Sequence, residues 1–193
     1  WGAMITKQTV AGVHFSAGLE VAYRACLWSR LANRIILCLA RQADIETPEV
    51  LKACVERLDW AGHLPVEATL AVDFHGQSPA IRHTRFGAQT VKDGVVDALR
   101  QAGRERPRVE LRDPDLRLYA HLHRGRLTLG IDLAGTSLHQ RGYRREPGHA
   151  PLKENLAAAL LVPGLVNYVT DWFGVYTLLL VQWSTFLVLG ALF

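Results

Sequence analysis

The sequence predicts an α+β fold, a mixed sheet with helices packed on it, ending in a hydrophobic tail. Three observations predict it. Apolar residues alternate at period two in residues 68–75, 116–122 and 127–133, as half-buried strands require. They recur at three- and four-residue spacing in residues 17–31, 47–62 and 84–102, as amphipathic helices require. The last 19 residues, Val175 to Phe193, carry no formal charge.

Taken in order, residues 3–15 predict two short strands broken at Ala11-Gly12. Residues 17–31 predict a helix whose stripe is Leu19, Tyr23, Cys26, Leu27 and Leu31, and Ile35 to Leu39 then make an apolar strand. Strand, strand, helix, strand is what remains of a ferredoxin-like unit whose first strand and helix lie upstream. The chain opens on Trp1 rather than Met, in keeping with an upstream start.

Thr47 is placed to cap a helix and Pro48 to occupy its first position. Leu51, Cys54, Val55 and Leu58 mark its buried stripe, and its end is expected near Trp60-Ala61-Gly62. The strand at 68–75 puts Leu70, Val72 and Phe74 on one side and Thr69, Ala71, Asp73 and His75 on a wetter one. The helix at 84–102 buries Val91, Val95, Ala98 and Leu99, leaving Arg85, Gln89, Lys92 and Arg100 for the opposite side. Gly87 and Gly94 weaken it by up to about 1 kcal/mol each and are expected on its outer face, where another backbone could approach. An Arg-rich linker, Gly103 to Arg112, leads to two strands joined in hairpin order through Arg124-Gly125-Arg126. Leu116, Leu118, Ala120 and Leu122 point to the core in the first, Leu127 to Leu133 in the second.

With 193 residues the chain is long enough to bury a core without disulfides or metal. It holds 22 basic and 18 acidic residues, a net charge of +4 that matters only where it clusters. Residues 82–112 hold eight Arg and Lys against four acids, and residues 141–153 hold four bases against one acid. Cys26, Cys38 and Cys54 form no CxxC and sit among apolar residues, which predicts core thiols in a reducing, cytoplasmic compartment. No signal peptide is visible.

Several motifs in register carry a resemblance. Gly12-Val13-His14-Phe15, Leu27-Trp28-Ser29-Arg30-Leu31-Ala32, the run Arg85 to Asp93, Ile131-Asp132-Leu133-Ala134-Gly135, the run Ser137 to Arg144 and the run Ala150 to Leu161 follow one another as in bacterial 23S ribosomal RNA guanine-N2 methyltransferases. Over roughly residues 1–161 the chain resembles the part of that family in which an RNA-binding THUMP domain passes into a methyltransferase domain. The resemblance implies a partial ferredoxin-like unit at 1–43, a THUMP domain at 44–145, and a linker with the first methyltransferase helix, opened by Pro151, at 146–161. It implies ribosomal RNA as partner and S-adenosylmethionine as the cofactor of the full-length family. No cofactor is expected in this chain, because the doubly wound domain that would hold it is not seen beyond Asn155. The chain alone is therefore expected to bind RNA without methylating it.

The RNA-contacting residues expected from the two basic clusters are Arg82, Arg85 and Lys92 on the helix, with Arg141, Tyr143, Arg144 and Arg145 in the loop. Other chemistry finds little support. His121 and His123 share one outer face of a strand, with His139 and His149 near in sequence, but no cysteine or carboxylate set completes a metal site. Gly135-Thr136-Ser137 and Gly142 form no phosphate-binding GxGxxG. Asp132, Ser137 and His139 lack the turn that exposes a nucleophile.

The tail, residues 162–193, departs from the family. Val175 to Phe193 approaches the roughly 20 residues that span a bilayer, yet Gln182, Ser184 and Thr185 sit at mid-span. A sequence foreign to the fold is favoured over a membrane anchor. Two alternatives stay open for the whole chain: the RNA-binding module of a tRNA-modifying enzyme, and a membrane-anchored interaction protein using residues 175–193.

Overall fold

A computed structural model of the chain describes residues 2–9, 12–138, 140 and 153–161. They divide into two compact units, Ile36–Gly135 and the chain on either side of it. The expected Pro151 helix start, the loop cluster Arg141, Tyr143, Arg144 and Arg145, and the tail all lie outside the described residues.

In the smaller unit, β1 (Met4–Thr9) and β2 (Gly12–Ser16) form an antiparallel hairpin. The Thr9 hydroxyl closes it, donating to the Gly12 carbonyl at 2.8 Å and accepting from the Gly12 amide at 3.1 Å. Helix α1 (Leu19–Trp28) is shorter at both ends than the expected span of residues 17–31. Its last turn is closed by the Ser29 amide on the Ala25 carbonyl at 3.0 Å. The stripe does not become a core, for Leu19, Tyr23 and Leu27 are all exposed. Helicity returns at residues 154–161, where the Asn155 amide donates to the Leu31 carbonyl at 3.4 Å.

The larger unit is built on β3 (Ile36–Gln42), β4 (Thr69–Gln77), β5 (Arg108–Val109), β6 (Leu116–His123) and β7 (Arg126–Asp132), in the sheet order β3-β7-β6-β4-β5. β4 runs parallel to β5 and β6, while β7 is antiparallel to β6 and β3. The short β5 falls inside what the sequence reads as a linker. Two residues of pairing are enough to fix it beside Thr69 and Leu70. Asp115 locks the start of the parallel pair: its carboxylate accepts from the Thr69 amide at 2.8 Å and the Thr69 hydroxyl at 2.7 Å. Those two bonds hold the carboxyl below its ordinary pKa. The β6–β7 turn needs left-handed backbone at both Arg124 (φ 49) and Gly125 (φ 71), a geometry that matches the twist of a two-residue hairpin.

Helix α2 (Pro48–Glu56) starts as the sequence requires, with Thr47 Oγ1 accepting from the Val50 amide at 3.3 Å and Pro48 in the first turn. It ends earlier than expected. Asp59 accepts from the Gly62 amide at 3.1 Å and so caps a separate one-turn helix, α3 (Trp60–His63). The buried Trp60 indole donates to the Val55 carbonyl at 2.8 Å, and Arg104 donates to the Ala61 and Leu64 carbonyls at 2.8 Å each. One arginine of the basic cluster is thereby spent on structure.

Helix α4 (Thr84–Gln101) packs on α2 and β4 through Val91, Val95 and Leu99, all buried. Its two glycines face inward, not outward as expected. A Cβ on Gly87 would stand 2.6 Å from the Phe74 ring, and one on Gly94 would stand 3.0 Å from the Lys52 carbonyl and Val55. The close approach exists, but it is to the core. Leu70, Leu118, Leu122, Leu127 and Leu129 complete that core from the sheet's inner face. Of the three thiols expected in the core, Cys54 packs against it, Cys26 is partly covered, and Cys38 is exposed on β3.

Candidate nucleic-acid interface

Helix α4 owes its position to the buried turn before it. The Ile81 amide meets the Ser78 carbonyl at 3.2 Å and hydroxyl at 3.1 Å, and Ile81 itself is fully buried. The chain then turns outward into an exposed run, Arg82-His83-Thr84-Arg85-Phe86. Arg82 is steadied by one bond from Nε to the Pro79 carbonyl at 3.3 Å. Arg85 forms no ion pair among the described residues.

No side chain caps this helix start and no acid lies in its first turn. Amides that an acidic or hydroxyl cap usually satisfies have no side-chain acceptor at this start, and the helix dipole adds partial positive charge there. Two guanidiniums beside such an end form an anion-accepting surface. Lys92 lies seven residues after Arg85, on the same face about 10 Å along the axis. Its side chain is only 15% exposed, and its ammonium pairs with Asp93 at 3.2 Å. Asp93 also receives the Gln89 amide at 3.1 and 3.2 Å. Of the three helix residues expected to meet RNA, Arg82 and Arg85 are therefore brought together at one end, and Lys92 stands farther along with its charge partly answered. His83 and Phe86 join the same end. Phe86 at 48% exposure is the sign sequence periodicity missed, an aromatic residue the core leaves outside.

The other notable surface is the outer face of the sheet. Parallel register sets His75 beside His121 across β4 and β6. The Tyr119 and His121 rings lie 6.4 Å apart and nearly parallel at 8°, and His121 and His123 lie 6.2 Å apart at 21°. His75 leans on Tyr119 at 5.1 Å. Partial burial, and then the neighbouring His123 and His75, lower the His121 pKa. Below this row Arg117 reaches Asp73 at 3.3 Å and the Leu111 carbonyl at 2.9 Å. The sequence placed His121 and His123 on one face but could not add His75, which arrives by a pairing 46 residues distant in sequence. No set of His, Cys, Asp and Glu able to hold a metal occurs among the described residues.

A sheet in which β7 opposes both its neighbours is not the doubly wound parallel frame that cradles S-adenosylmethionine, and the described residues do not fit that cofactor. No helix among the described residues is long and apolar enough to cross a membrane.

Comparison with known proteins places these features. Family models match the chain as an RlmL ferredoxin-like domain over residues 1–36 and as a THUMP domain over residues 46–132. The ribosomal RNA large subunit methyltransferase K/L of Chromohalobacter salexigens is 68% identical over 162 residues, covering 84% of this chain and 22% of that protein. The chain thus spans about a fifth of the length of that curated relative. Among solved structures, a predicted N6-adenine-specific DNA methylase from Listeria monocytogenes superposes with a TM-score of 0.71 at 26% identity, over 83% of this chain and 42% of that one. SMU.472, solved in complex with SAH, gives 0.69 at 26% identity over the same shares.

Proposed function

The chain belongs to the THUMP-domain family, with an RlmL ferredoxin-like domain ahead of the THUMP domain, and from that premise we propose that it binds ribosomal RNA. It does so on behalf of an S-adenosylmethionine-dependent methyltransferase. The observation that carries the proposal is the end of α4, where exposed Arg82 and Arg85 flank a helix start with no cap and no acid. Phosphates supply most of the affinity between a protein and RNA, and this end presents two forked cations and free amides to them. Arg141, Tyr143, Arg144 and Arg145 are proposed to extend the same function from the loop, and Lys92 to assist from the helix flank.

The relatives' names support the substrate class: the Chromohalobacter protein is a ribosomal RNA methyltransferase, and SMU.472 was solved with SAH. The guanine amino group is the proposed methyl acceptor, and the cytoplasm the proposed place of action. This chain's part is to dock and orient RNA, and methyl transfer belongs to the parent enzyme's catalytic domain.

Affinity for a ribosomal RNA fragment, measured across a salt series, tests the proposal. Affinity should fall steeply with salt. Because each phosphate contact contributes roughly 0.7 to 0.9 to the logarithmic slope, Arg82→Ala with Arg85→Ala should flatten it by about 1.5. Unchanged slope and affinity in that double variant would sink the assignment of this surface.

A further inference from the structure

Successive outward side chains on one strand stand about 6.8 Å apart, twice the roughly 3.4 Å rise per residue. Stacked bases follow one another at about 3.4 Å. Two flat rings on alternate strand residues can therefore leave between them a gap one base thick. On β6 this is nearly realised, with near-parallel rings at 6.4 Å between Tyr119 and His121 and 6.2 Å between His121 and His123. A further opening of roughly half an ångström reaches the spacing of a base held between two rings. His75 does not form such a gap. It sits at 5.1 Å and 36° to Tyr119, and so buttresses the row from β4.

We propose that the outer sheet face is a second RNA surface, in which unpaired bases of a single-stranded segment insert between the rings of Tyr119, His121 and His123. The inference rests on the RNA-binding reading above and assigns the ring row the bases, where the α4 end takes phosphates. Charge favours a nucleic-acid occupant. Arg124 and Arg126 are exposed at the hairpin end of the row, while Asp73, the register partner of Tyr119, is paired with Arg117. Ring faces accept any base, so the surface selects for unpaired strand rather than for sequence. A duplex, whose bases are already stacked, gains nothing from the gaps.

The test uses the full chain and two probes, a single-stranded oligoadenylate carrying 2-aminopurine and an RNA duplex with the same number of phosphates. The native chain should bind both and quench the single-strand fluorescence. His121→Ala with His123→Ala should weaken the single strand about tenfold and abolish the quench, leaving the duplex unchanged. His121→Phe with His123→Phe keeps flat rings and should keep both the affinity and the quench. The slot is overturned, with RNA binding intact, if the alanine pair leaves the single strand unaffected. It is equally overturned if that pair weakens both probes alike, or if the phenylalanine pair loses as much as the alanine pair. A native chain that binds neither probe overturns the RNA-binding reading itself.

Discussion

The two faces of β6 differ by one residue step and by almost everything else. Leu118, Ala120 and Leu122 point inward and are fully buried, whereas Arg117, Tyr119 and His121 point outward, partly covered, and His123 is exposed. The inner face holds the unit together by removing apolar surface from water. The outer face buries little and instead holds its rings at a set spacing. Stability and recognition are thus separated across the thickness of one strand, so changes on one face should leave the other's property nearly alone.

The largest expected effect is on the inner face. Leu118 is 0% exposed at the centre of the sheet, between β4 and β7. Leu118→Ala removes its methyl groups and leaves a cavity, which costs about 2–5 kcal/mol. Urea unfolding should show it as a lower midpoint with an unchanged slope. A loss below about 1 kcal/mol would mean the inner face is not closely packed around Leu118.

Next comes the seam between α4 and this face. Gly87→Ala puts a methyl group 2.6 Å from the Phe74 ring. Overpacking of this kind costs about 1–3 kcal/mol, offset in part by alanine's better helix propensity of up to about 1 kcal/mol. Phe74→Leu in the same chain should recover part of the loss, because it vacates the space the methyl group needs. The two changes should cost less together than the sum of each alone, and strict additivity would show that α4 does not press on Phe74.

How far these features are legible in the sequence follows from how local they are. Thr47 and Pro48 mark the start of α2 within four residues, and the structure places both there. The inward set of β6 follows from strict alternation, and the hairpin to β7 from Arg124-Gly125. The stripe of α1 shows the limit of periodicity. It has the same spacing as that of α4, yet Leu19, Tyr23 and Leu27 are exposed where Val91, Val95 and Leu99 are buried. Spacing names the side of a helix that can pack and does not fix how deeply it is buried. The inward glycines of α4 escape the pattern for a related reason, since a missing side chain carries no sign of the face it leaves. Arg82 and Arg85 are legible as a cluster, but the uncapped helix start beside them is set by the fold and not by a local pattern. The ring row follows from alternation on β6, but its His75 buttress needed the parallel pairing of β4 and β6, which no local pattern encodes.

The smallest effect, and the sharpest on the comparison, belongs to the outer face. Partial burial first, and then His123 and His75, lower the His121 pKa from its ordinary value of 6.5. Tyr119 stands against it on β6 and Thr128 beside it on β7, and the nearby Arg117–Asp73 pair is neutral as a whole. None of these welcomes a proton on the imidazole. The unfolded chain therefore takes up that proton at a higher pH than the folded one, and stability rises with pH wherever the unfolded state binds more protons. The contribution is complete above about 6.5 and is lost as pH falls through that value toward the lower folded pKa. His121→Phe keeps a ring in the row and removes the titration. Its urea midpoint should fall less between pH 7.5 and 5.5 (about two units spanning the ordinary histidine range) than that of the native chain. Equal falls would show that the outer face does not shield His121. A larger fall in the variant would reverse the sign of the argument and make the protonated ring a favourable member of the row.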